Sequence, residues 1–239
     1  MAVPVNVVLT RLTRRVSNDV LSTSKSEHTM LTTGGKPVKK DFAIKYLIYP
    51  QTVFVIGTYG ENRRPNIATV ALAGMCSQIL PRFFVTFGNK AYTNQNIIRR
   101  KAFTVNVPTS TYLDATDYVG LTSGREVDKF AISGLTAADS DHVDAPYVEE
   151  FPIVAECELR ETLEMGVQTM FIGEIINIKV DETICTADVS DLAPEVDGAP
   201  DMIKAGGIVY TVGTNGMSYY GLGEALGKAR TLGRKLLNE

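Results

Sequence analysis

The segment SGREVDKFAISGLT, residues 123–136, holds two cations four residues apart between two glycines. Arg125 and Lys129 would project from one face of a helical turn, because side chains at i and i+4 are neighbours on a helix. Gly124 and Gly134 predict a compact excursion whose ends need a permissive backbone. One interpretation is a solvated surface turn, and the other is a basic clamp for an anionic ligand.

Two further polar stretches lie in or next to predicted strands. Asn66 and Thr69 offer an amide and a hydroxyl, and the small Ala68 between them would let a flat group approach the strand. The stretch FGNKAYTNQN, residues 87–96, passes from a strand into a helix, whose free N–H groups attract phosphate. Thr93 adds a hydroxyl there. An edge strand and a plain strand-to-helix junction are the alternatives, but together the three stretches predict a site for an anionic, planar ligand.

Composition and charge narrow the classes of function. The chain has 239 residues, of which 44% are hydrophobic and 21% charged, as in an ordinary globular protein. Residues 1–45 carry eight Lys or Arg against three acidic residues, a net charge of +5, so the remainder carries −8 of the total of −3. An acidic body argues against general nucleic-acid binding, which needs a basic surface.

Cysteine and histidine usage argues against a disulfide framework or a metal site. Cys76, Cys157 and Cys185 are odd in number and show no CxxC spacing, and the chain has only two histidines. Three free thiols fit a reducing cytoplasm, which is the expected location. No apolar run approaches the roughly 18 residues that a membrane span requires, so no membrane association is expected.

The first 45 residues are predicted to be a basic extension, either mobile or wrapped on a partner. Their apolar stretch precedes Arg11, which is the reverse of the order in a secretory signal. They are rich in Arg, Ser and Thr with few acids, a composition that resembles a transit peptide only weakly.

Many strands and few helices are predicted for the rest of the chain. The predicted strands are Thr52–Thr58, Asn66–Gly74, Arg82–Phe87, Phe103–Val107, Ile153–Leu163, Met170–Val180 and Ile208–Val212, and the predicted helices are Tyr92–Ala102 and Thr111–Val119. In the first helix, Thr93 or Asn94 is the expected cap, and Ile97 and Ile98 are expected to face inward. The absence of a regular βαβ alternation favours a barrel over a doubly wound sheet.

One glycine-rich stretch imitates a nucleotide fingerprint. The sequence GLGEALG, residues 221–227, has the spacing GxGxxxG and lacks a βαβ context, so we assign it no nucleotide role. A helix that begins on Gly-Leu-Gly is the expected structure there.

Several motifs that follow one another in order carry a family resemblance. They are RPNIATV (64–70), FTVNVP (103–108), SGREVDKFAISGLT (123–136), TLEMGVQTMFIGEI (162–175) and YYGLGEALG (219–227). This set resembles the flavin reductase-like proteins with an FMN-binding split β-barrel, most closely the flavoredoxin branch. The match runs from about Tyr49 to Gly227, and the motif at residues 123–136 is its most specific part.

The resemblance implies a mostly β, Greek-key-like split barrel over residues 46–239 that binds FMN as a homodimer. It implies hydride or electron transfer through the flavin, with NAD(P)H or a redox partner protein as the donor and no catalytic side chain or metal. The expected cofactor-binding residues are Asn66, Ala68, Thr69, Gly88, Asn89, Lys90, Thr93, Ser123, Arg125, Lys129, Gln168, Tyr219 and Tyr220. The first three would follow the polar edge of the flavin or its ribityl chain, and the segment around Asn89, Lys90 and Thr93 would serve the phosphate. Tyr219 or Tyr220 would form a wall of the site. Lys129 would reach the phosphate or the N1–C2=O edge of the ring, with Phe130 anchoring the turn in the core.

The sequence departs from the family pattern at two places that matter for chemistry. Gln168 stands where family members often carry His, and Ala71, Leu72 and Ala73 stand where an aromatic residue is common. These departures affect ring stacking and His-dependent proton delivery more than FMN binding. Two alternatives therefore stay open, an FMN electron-transfer protein without NAD(P)H turnover and a split barrel that has lost the flavin.

Overall fold

The structure, a computed structural model, describes residues 39–41, 48–185, 200–201, 203–206, 210–212 and 218–223. The chain divides into two compact units after Ile44, and the second unit, Lys45–Glu239, contains the strands and helices that follow. The extension predicted for residues 1–45 lies outside the described residues apart from 39–41. Within the described ranges, no helix has the length and apolar character needed to cross a membrane.

The described chain is built mainly from strands. The strands are β1 (Gln51–Thr52), β2 (Phe54–Tyr59), β3 (Pro65–Val70), β4 (Ala73–Ser77), β5 (Arg82–Gly88), β6 (Ala102–Val107), β7 (Ala137–Asp139), β8 (Pro146–Val148), β9 (Ile153–Met165), β10 (Gln168–Val180), β11 (Tyr210–Val212) and β12 (Ser218–Tyr220). The α-helices are α1 (Tyr92–Arg100), α2 (Leu113–Leu121) and α3 (Lys129–Ser133), and short 3₁₀ turns occupy Glu61–Arg63, Ser110–Tyr112 and Glu182–Ile184.

The main sheet has seven antiparallel strands in the order β3-β2-β6-β9-β10-β5-β4. Its two edge strands, β3 and β4, are joined by only Ala71 and Leu72. In a flat sheet these edges would lie roughly 29 Å apart, whereas such a link spans about 11 Å at most. The sheet must therefore curl into a barrel. The Thr86 N–H of β5 donates to the Leu72 carbonyl at 2.9 Å, which extends the β4–β5 pairing into the link between the two edge strands. The predicted split-barrel class is confirmed.

The same closure overturns one predicted strand. We expected a single strand over Asn66–Gly74, but the chain breaks at Ala71–Leu72 and supplies strands to opposite edges of the sheet. The long hairpin was predicted well, because β9 and β10 pair along their whole length around a turn at Gly166, which has φ 66°. The late strand is present as β11, which pairs with both β1 and β12.

Two buried clusters explain why β2 reads as a continuous apolar run. Ile56 faces the barrel interior, where it belongs to a cluster with Phe103 and Phe171. Val55 points to the other face and belongs to a second cluster that includes Phe130 of α3. Since helices α2 and α3 cover that outer face of β2 and β3, both faces of the strand exclude water. The core position predicted for Phe130 is present in the structure.

Helix α1 differs from its prediction at the cap and on one face. It begins after Ala91, and no side chain of the described residues caps it, so the cap predicted at Thr93 or Asn94 is wrong. Ile97 is fully buried as expected, but Ile98 is 48% exposed and does not face inward. The helix packs through Ile97 onto the end of the barrel and thereby fixes the loop that precedes it.

Candidate functional site

A polar cavity of about 290 Å³ lies between β3, the start of α1 and the segment that joins α2 to α3. The predicted site residues that line it are Asn66, Ala68, Thr69, Lys90, Thr93, Ser123, Arg125 and Lys129. The lining residues that the prediction did not name are Phe87, Ala91, Tyr92, Val119, Gly120, Thr122 and Gly124. Most of these adjoin predicted residues in sequence, but Val119 and Gly120 belong to α2, where the sequence carried no signal of a site.

The start of α1 forms one wall of the polar cavity and is suited to an anion. Because no described side chain caps this helix, its first-turn N–H groups are not satisfied by a capping side chain. A helix N-terminus also carries a partial positive charge. Lys90 and Thr93 lie on either side of this point and both line the cavity.

A buried hydrogen-bond network fixes the amide of Asn66 in the floor of the cavity. The Asn66 Nδ2 donates to the Thr58 hydroxyl at 3.2 Å and to the Thr93 hydroxyl at 3.4 Å. Asn96 Nδ2 also donates to Thr58, at 3.1 Å. With both amide protons used, the Asn66 Oδ1 is held in one orientation, toward Gly124. Strand β3 and helix α1 are thus tied together at the site.

Gly124 is required by close packing rather than by its backbone angles. A Cβ atom there would lie 2.9 Å from Asn66 Cγ, closer still to Asn66 Oδ1, and 3.2 Å from Tyr92 Cδ1. Its φ is not in the left-handed region, so the permissive backbone predicted at both glycines holds only for Gly134, where φ is 73° at the end of α3. Gly124 lets the segment after α2 approach the floor of the cavity.

The two cations of the opening motif do not share a helix. Asp128 caps α3 by accepting a hydrogen bond from the Ala131 N–H at 3.1 Å, so the helix begins at Lys129. Arg125 lies in the preceding turn, where the Glu126 N–H donates to the Ser123 carbonyl. The predicted common helical face is therefore wrong, yet both cations line the polar cavity.

Lys129 is buried beneath the cavity rather than extended into solvent. Its side chain packs between β3 and α2, and Nζ donates to the Ile67 carbonyl at 2.8 Å and to the Val119 carbonyl at 2.6 Å. The residue is only 4% exposed, and this burial lowers the pKa of the ammonium to about 8. An ammonium has three donors, so one N–H remains for a ligand.

Arg125 forms the outer rim of the polar cavity. Its Nη1 donates to the Lys90 carbonyl at 3.0 Å, and its guanidinium lies 5.1 Å from the centre of the Tyr92 ring. The lining includes Lys90, Arg125 and Lys129 but no carboxylate of the described residues. The local field therefore favours an anion.

A second, more apolar cavity of about 570 Å³ adjoins the first and shares Thr69 and Phe87 with it. The remaining residues of its lining are Val70, Ala71, Leu72, Thr86, Gly88 and Gln168. The predicted residues Gly88 and Gln168 are thus in this apolar cavity. Asn89 lines a neighbouring cavity of about 420 Å³ at the tip of the β9–β10 hairpin, where its Nδ2 donates to the Gly166 carbonyl at 2.7 Å.

The two tyrosines predicted to wall the site lie elsewhere in the described structure. Tyr219 donates from its hydroxyl to Asp117 Oδ1 on α2 at 2.6 Å, and burial followed by this bond raises its pKa. Tyr220 is half exposed. Neither tyrosine is part of the lining of these three cavities, so a role for them at the site stays a prediction.

Comparison with known proteins agrees with this fold and these cavities. The flavin reductase like domain family matches residues 46–188, more than half of the chain, and the protein belongs to that family. Flavoredoxin of Desulfovibrio vulgaris (Miyazaki F) is 39% identical, with a TM-score of 0.73 over 82% of this chain and 100% of that chain. Flavoredoxin from Methanosarcina acetivorans is 26% identical, with a TM-score of 0.71 over 84% and 100% of the two chains.

A third similar structure shares the fold alone. It is an FMN-binding protein from Thermus thermophilus, 20% identical, with a TM-score of 0.62 over 81% of this chain and 99% of that chain. The resemblance inferred from the sequence, including its flavoredoxin branch, is confirmed. Membership of this family makes the protein a flavin-binding protein with a redox function.

Proposed function

We propose that this protein is an FMN-binding oxidoreductase of the flavin reductase type. The observation that carries the proposal is the cationic polar cavity that adjoins an apolar cavity and shares Thr69 and Phe87 with it. FMN has the matching sequence of parts, a phosphate, a polar ribityl chain and a flat, largely apolar ring. The N-terminus of α1 with Lys90 and Arg125 would hold the phosphate, and Asn66 would serve the ribityl chain. The apolar cavity beside Phe87 would take the ring.

Two features of the polar cavity agree with FMN as its ligand, and both are seen in the protein alone. Gly124 packs directly on Asn66, and any larger side chain at position 124 would collide with the Asn66 amide in the floor of the polar cavity. The polar cavity has three cationic side chains and, among the described residues, no carboxylate in its lining, as a dianionic phosphate requires. FMN binding is thus supported by both the shape and the charge of the cavity.

Bound FMN would supply the electron-transfer chemistry, and the chain would bind, orient and shield it. Among the described residues, neither cavity has His, Cys, Asp or Glu in its lining. We therefore assign no general acid or base, and protons would come from solvent. Lys129 would donate its remaining N–H to the phosphate or to the N1–C2=O edge of the ring.

Two candidate activities differ in the electron donor. A flavin reductase would accept hydride from NAD(P)H, for which the open apolar cavity offers room. The alternative is a flavoredoxin-like protein that receives electrons from another protein, and the 39% identity to a flavoredoxin favours it. Both activities need the same FMN site.

Anaerobic stopped-flow mixing separates these activities. Protein loaded with FMN would be mixed with NADH and with NADPH, and the flavin absorbance followed near its visible maximum. Rapid bleaching supports a reductase. No bleaching with either nucleotide, together with bleaching by dithionite, supports the electron-transfer protein. A purified protein that is colourless and takes up no added FMN would overturn both.

We also propose that the working form is a cytoplasmic homodimer. The β9–β10 tip exposes Leu163, Met165 and Val167, the last 83% exposed, next to the cavity that includes Gly88 in its lining. A second copy would cover this apolar surface and enclose the flavin. Light scattering on the FMN-loaded protein tests this, because a monomer of 26.0 kDa that binds FMN tightly would contradict it.

A further inference from the structure

Lys129 is a buried lysine that has no carboxylate partner among the described residues. Its Nζ donates to two backbone carbonyls instead, those of Ile67 at 2.8 Å and Val119 at 2.6 Å. Ile67 is on the edge strand β3, and Val119 is in the last turn of α2. Carbonyls at such positions can lack a partner in their own sheet or helix, so the lysine satisfies both. The two hydrogen bonds hold its nitrogen in one place.

No charged side chain of the described residues offsets the burial of Lys129. Strand β3 has no ionisable side chain. The acids and the tyrosine of α2 and of the segment before α3 are Asp114, Asp117, Tyr118, Glu126 and Asp128. None of them bonds to Nζ, and burial lowers the Lys129 pKa to about 8. At pH 8 about half of Lys129 is therefore a neutral amine, against about 0.4% of a lysine in water.

The protonation state of Lys129 decides which atom a ligand in the polar cavity meets. The nitrogen has four tetrahedral positions, of which Cε takes one and the bonds to the two carbonyls take two more. The fourth position is an N–H in the ammonium and a lone pair in the neutral amine. Because Lys129 lines the polar cavity, this fourth position is the one left for a ligand. Neutral Lys129 is thus a positioned nucleophile.

The polar cavity also attracts phosphate. Lys90 and Arg125 line it together with the N-terminus of α1, and its lining has no carboxylate of the described residues. A small molecule with its phosphate at these groups would have its remaining atoms in the cavity that Lys129 lines. An aldehyde carbon in such a molecule is an electrophile that an amine attacks reversibly.

We propose that the flavin-free protein captures short phosphorylated aldehydes as an imine on Lys129. This inference rests on the proposed phosphate site for FMN. The Nζ lone pair attacks the aldehyde carbon, and a proton passes from nitrogen to oxygen to give a carbinolamine. Loss of its hydroxyl as water forms the C=N bond, so one amine and one aldehyde give one imine and one water, with no net oxidation or reduction.

The imine is an end point rather than an intermediate of further chemistry. The described lining of the polar cavity has no His, Cys, Asp or Glu that could move another proton. Water reverses the reaction and releases the aldehyde. While the imine lasts, it occupies the phosphate site and excludes FMN, and bound FMN in turn shields Lys129.

Borohydride trapping with D-glyceraldehyde 3-phosphate tests this capture on the flavin-free protein. Borohydride added at timed intervals reduces the imine to a stable amine, and peptide mass spectrometry locates the modified lysine. At pH 8, Lys129 should be modified at least tenfold faster than exposed Lys101. D-Glyceraldehyde, which lacks the phosphate, should modify Lys129 at least tenfold more slowly.

FMN and a pair of variants serve as controls. Saturating FMN should slow the modification of Lys129 at least tenfold, and protein with the reduced adduct should no longer bind FMN. Lys129→Met should lose the fast modification, and Lys101→Met should keep it. Because peptide mapping of the wild type identifies the lysine directly, the test stands even where Lys129→Met folds poorly.

The outcomes separate this inference from the function on which it rests. Modification of Lys129 no faster than that of Lys101, or equally fast with D-glyceraldehyde, would overturn the capture. FMN binding by the unmodified protein in that case would leave the flavin site standing. A protein that binds no FMN but shows fast, phosphate-dependent modification of Lys129 would support the capture and remove the proposed function.

Discussion

Gly124 lies so close to Asn66 that a Cβ atom at position 124 would be 2.9 Å from Asn66 Cγ. Gly124→Ala must therefore displace either the segment after α2 or the Asn66 amide, whose protons are used by Thr58 and Thr93. We expect FMN affinity to fall at least tenfold and the free energy of unfolding to fall by about 1–3 kcal/mol. Fluorescence titration with FMN and urea unfolding would measure the two effects.

Gly221→Ala is the matched control for this variant. A Cβ atom at position 221 would meet no atom of the described residues within 4 Å, and the φ of Gly221 is not in the left-handed region. The control should keep both FMN affinity and stability. If Gly124→Ala behaved like Gly221→Ala, the close packing of Gly124 on Asn66 would not shape the site.

The thiol of Cys157 should not react with thiol reagents in the folded protein. The residue is fully buried, and burial, with a smaller effect of the Glu156 charge, raises the pKa of its thiol. Since the thiolate is the reactive form, an aromatic disulfide reagent should modify exposed Cys76 but not Cys157. Under native conditions, Cys157→Ser should show the same number of reactive thiols as the wild type. In urea, it should show one reactive thiol fewer than the wild type. Loss of a fast-reacting native thiol in this variant would contradict the expectation.

The sequence predicted those elements whose pattern is local. The β9–β10 hairpin has an alternating pattern over long strands, and β2 is apolar on both faces because the barrel and the helices α2 and α3 each cover one face. By contrast, the break at Ala71–Leu72 falls inside the apolar run NIATVALAG, where no residue marks it. Barrel closure, a tertiary effect, decides where that strand ends.

The sequence correctly predicted that the two cations of residues 123–136 meet at one site, but the local structure predicted to bring them together was wrong. Arg125 and Lys129 meet at one cavity, but a helix was expected to bring them together, and Asp128 starts that helix only at Lys129. Within a run of charged residues, a capping Asp looks like any other acid. The close approach of Gly124 to Asn66 depends on folding between residues distant in sequence, so no local pattern could reveal it.

Lys129→Met should affect both stability and FMN binding. The substitution leaves the Ile67 and Val119 carbonyls without their donor, so we expect the free energy of unfolding to fall by about 1–3 kcal/mol. Loss of a charge-assisted hydrogen bond should weaken FMN binding by roughly 1.5–3 kcal/mol, about ten- to a hundredfold. Titration with FMN well below the melting temperature of the variant separates the binding effect from unfolding.

The redox potential of bound FMN then shows which part of the cofactor Lys129 serves. A lower midpoint potential in Lys129→Met would indicate the N1–C2=O edge, because a cation there stabilises the reduced form. An unchanged potential with weaker binding would indicate the phosphate. Lys90→Met removes another cation from the cavity lining and controls for a general loss of positive charge. Unchanged affinity and potential in Lys129→Met would show that Lys129 has a structural role only.

The pH dependence of FMN affinity tests the same ammonium without a change of shape. Burial lowers the Lys129 pKa to about 8 in the free protein, and a bound anion would raise it again. Above about pH 8, binding must therefore be accompanied by proton uptake, and wild-type affinity should fall roughly tenfold between pH 7 and 9. The FMN phosphate stays dianionic over this range, since its second pKa is about 6. Lys129→Met should show a flat profile, and a variant that kept the wild-type decline would assign the titration to another group.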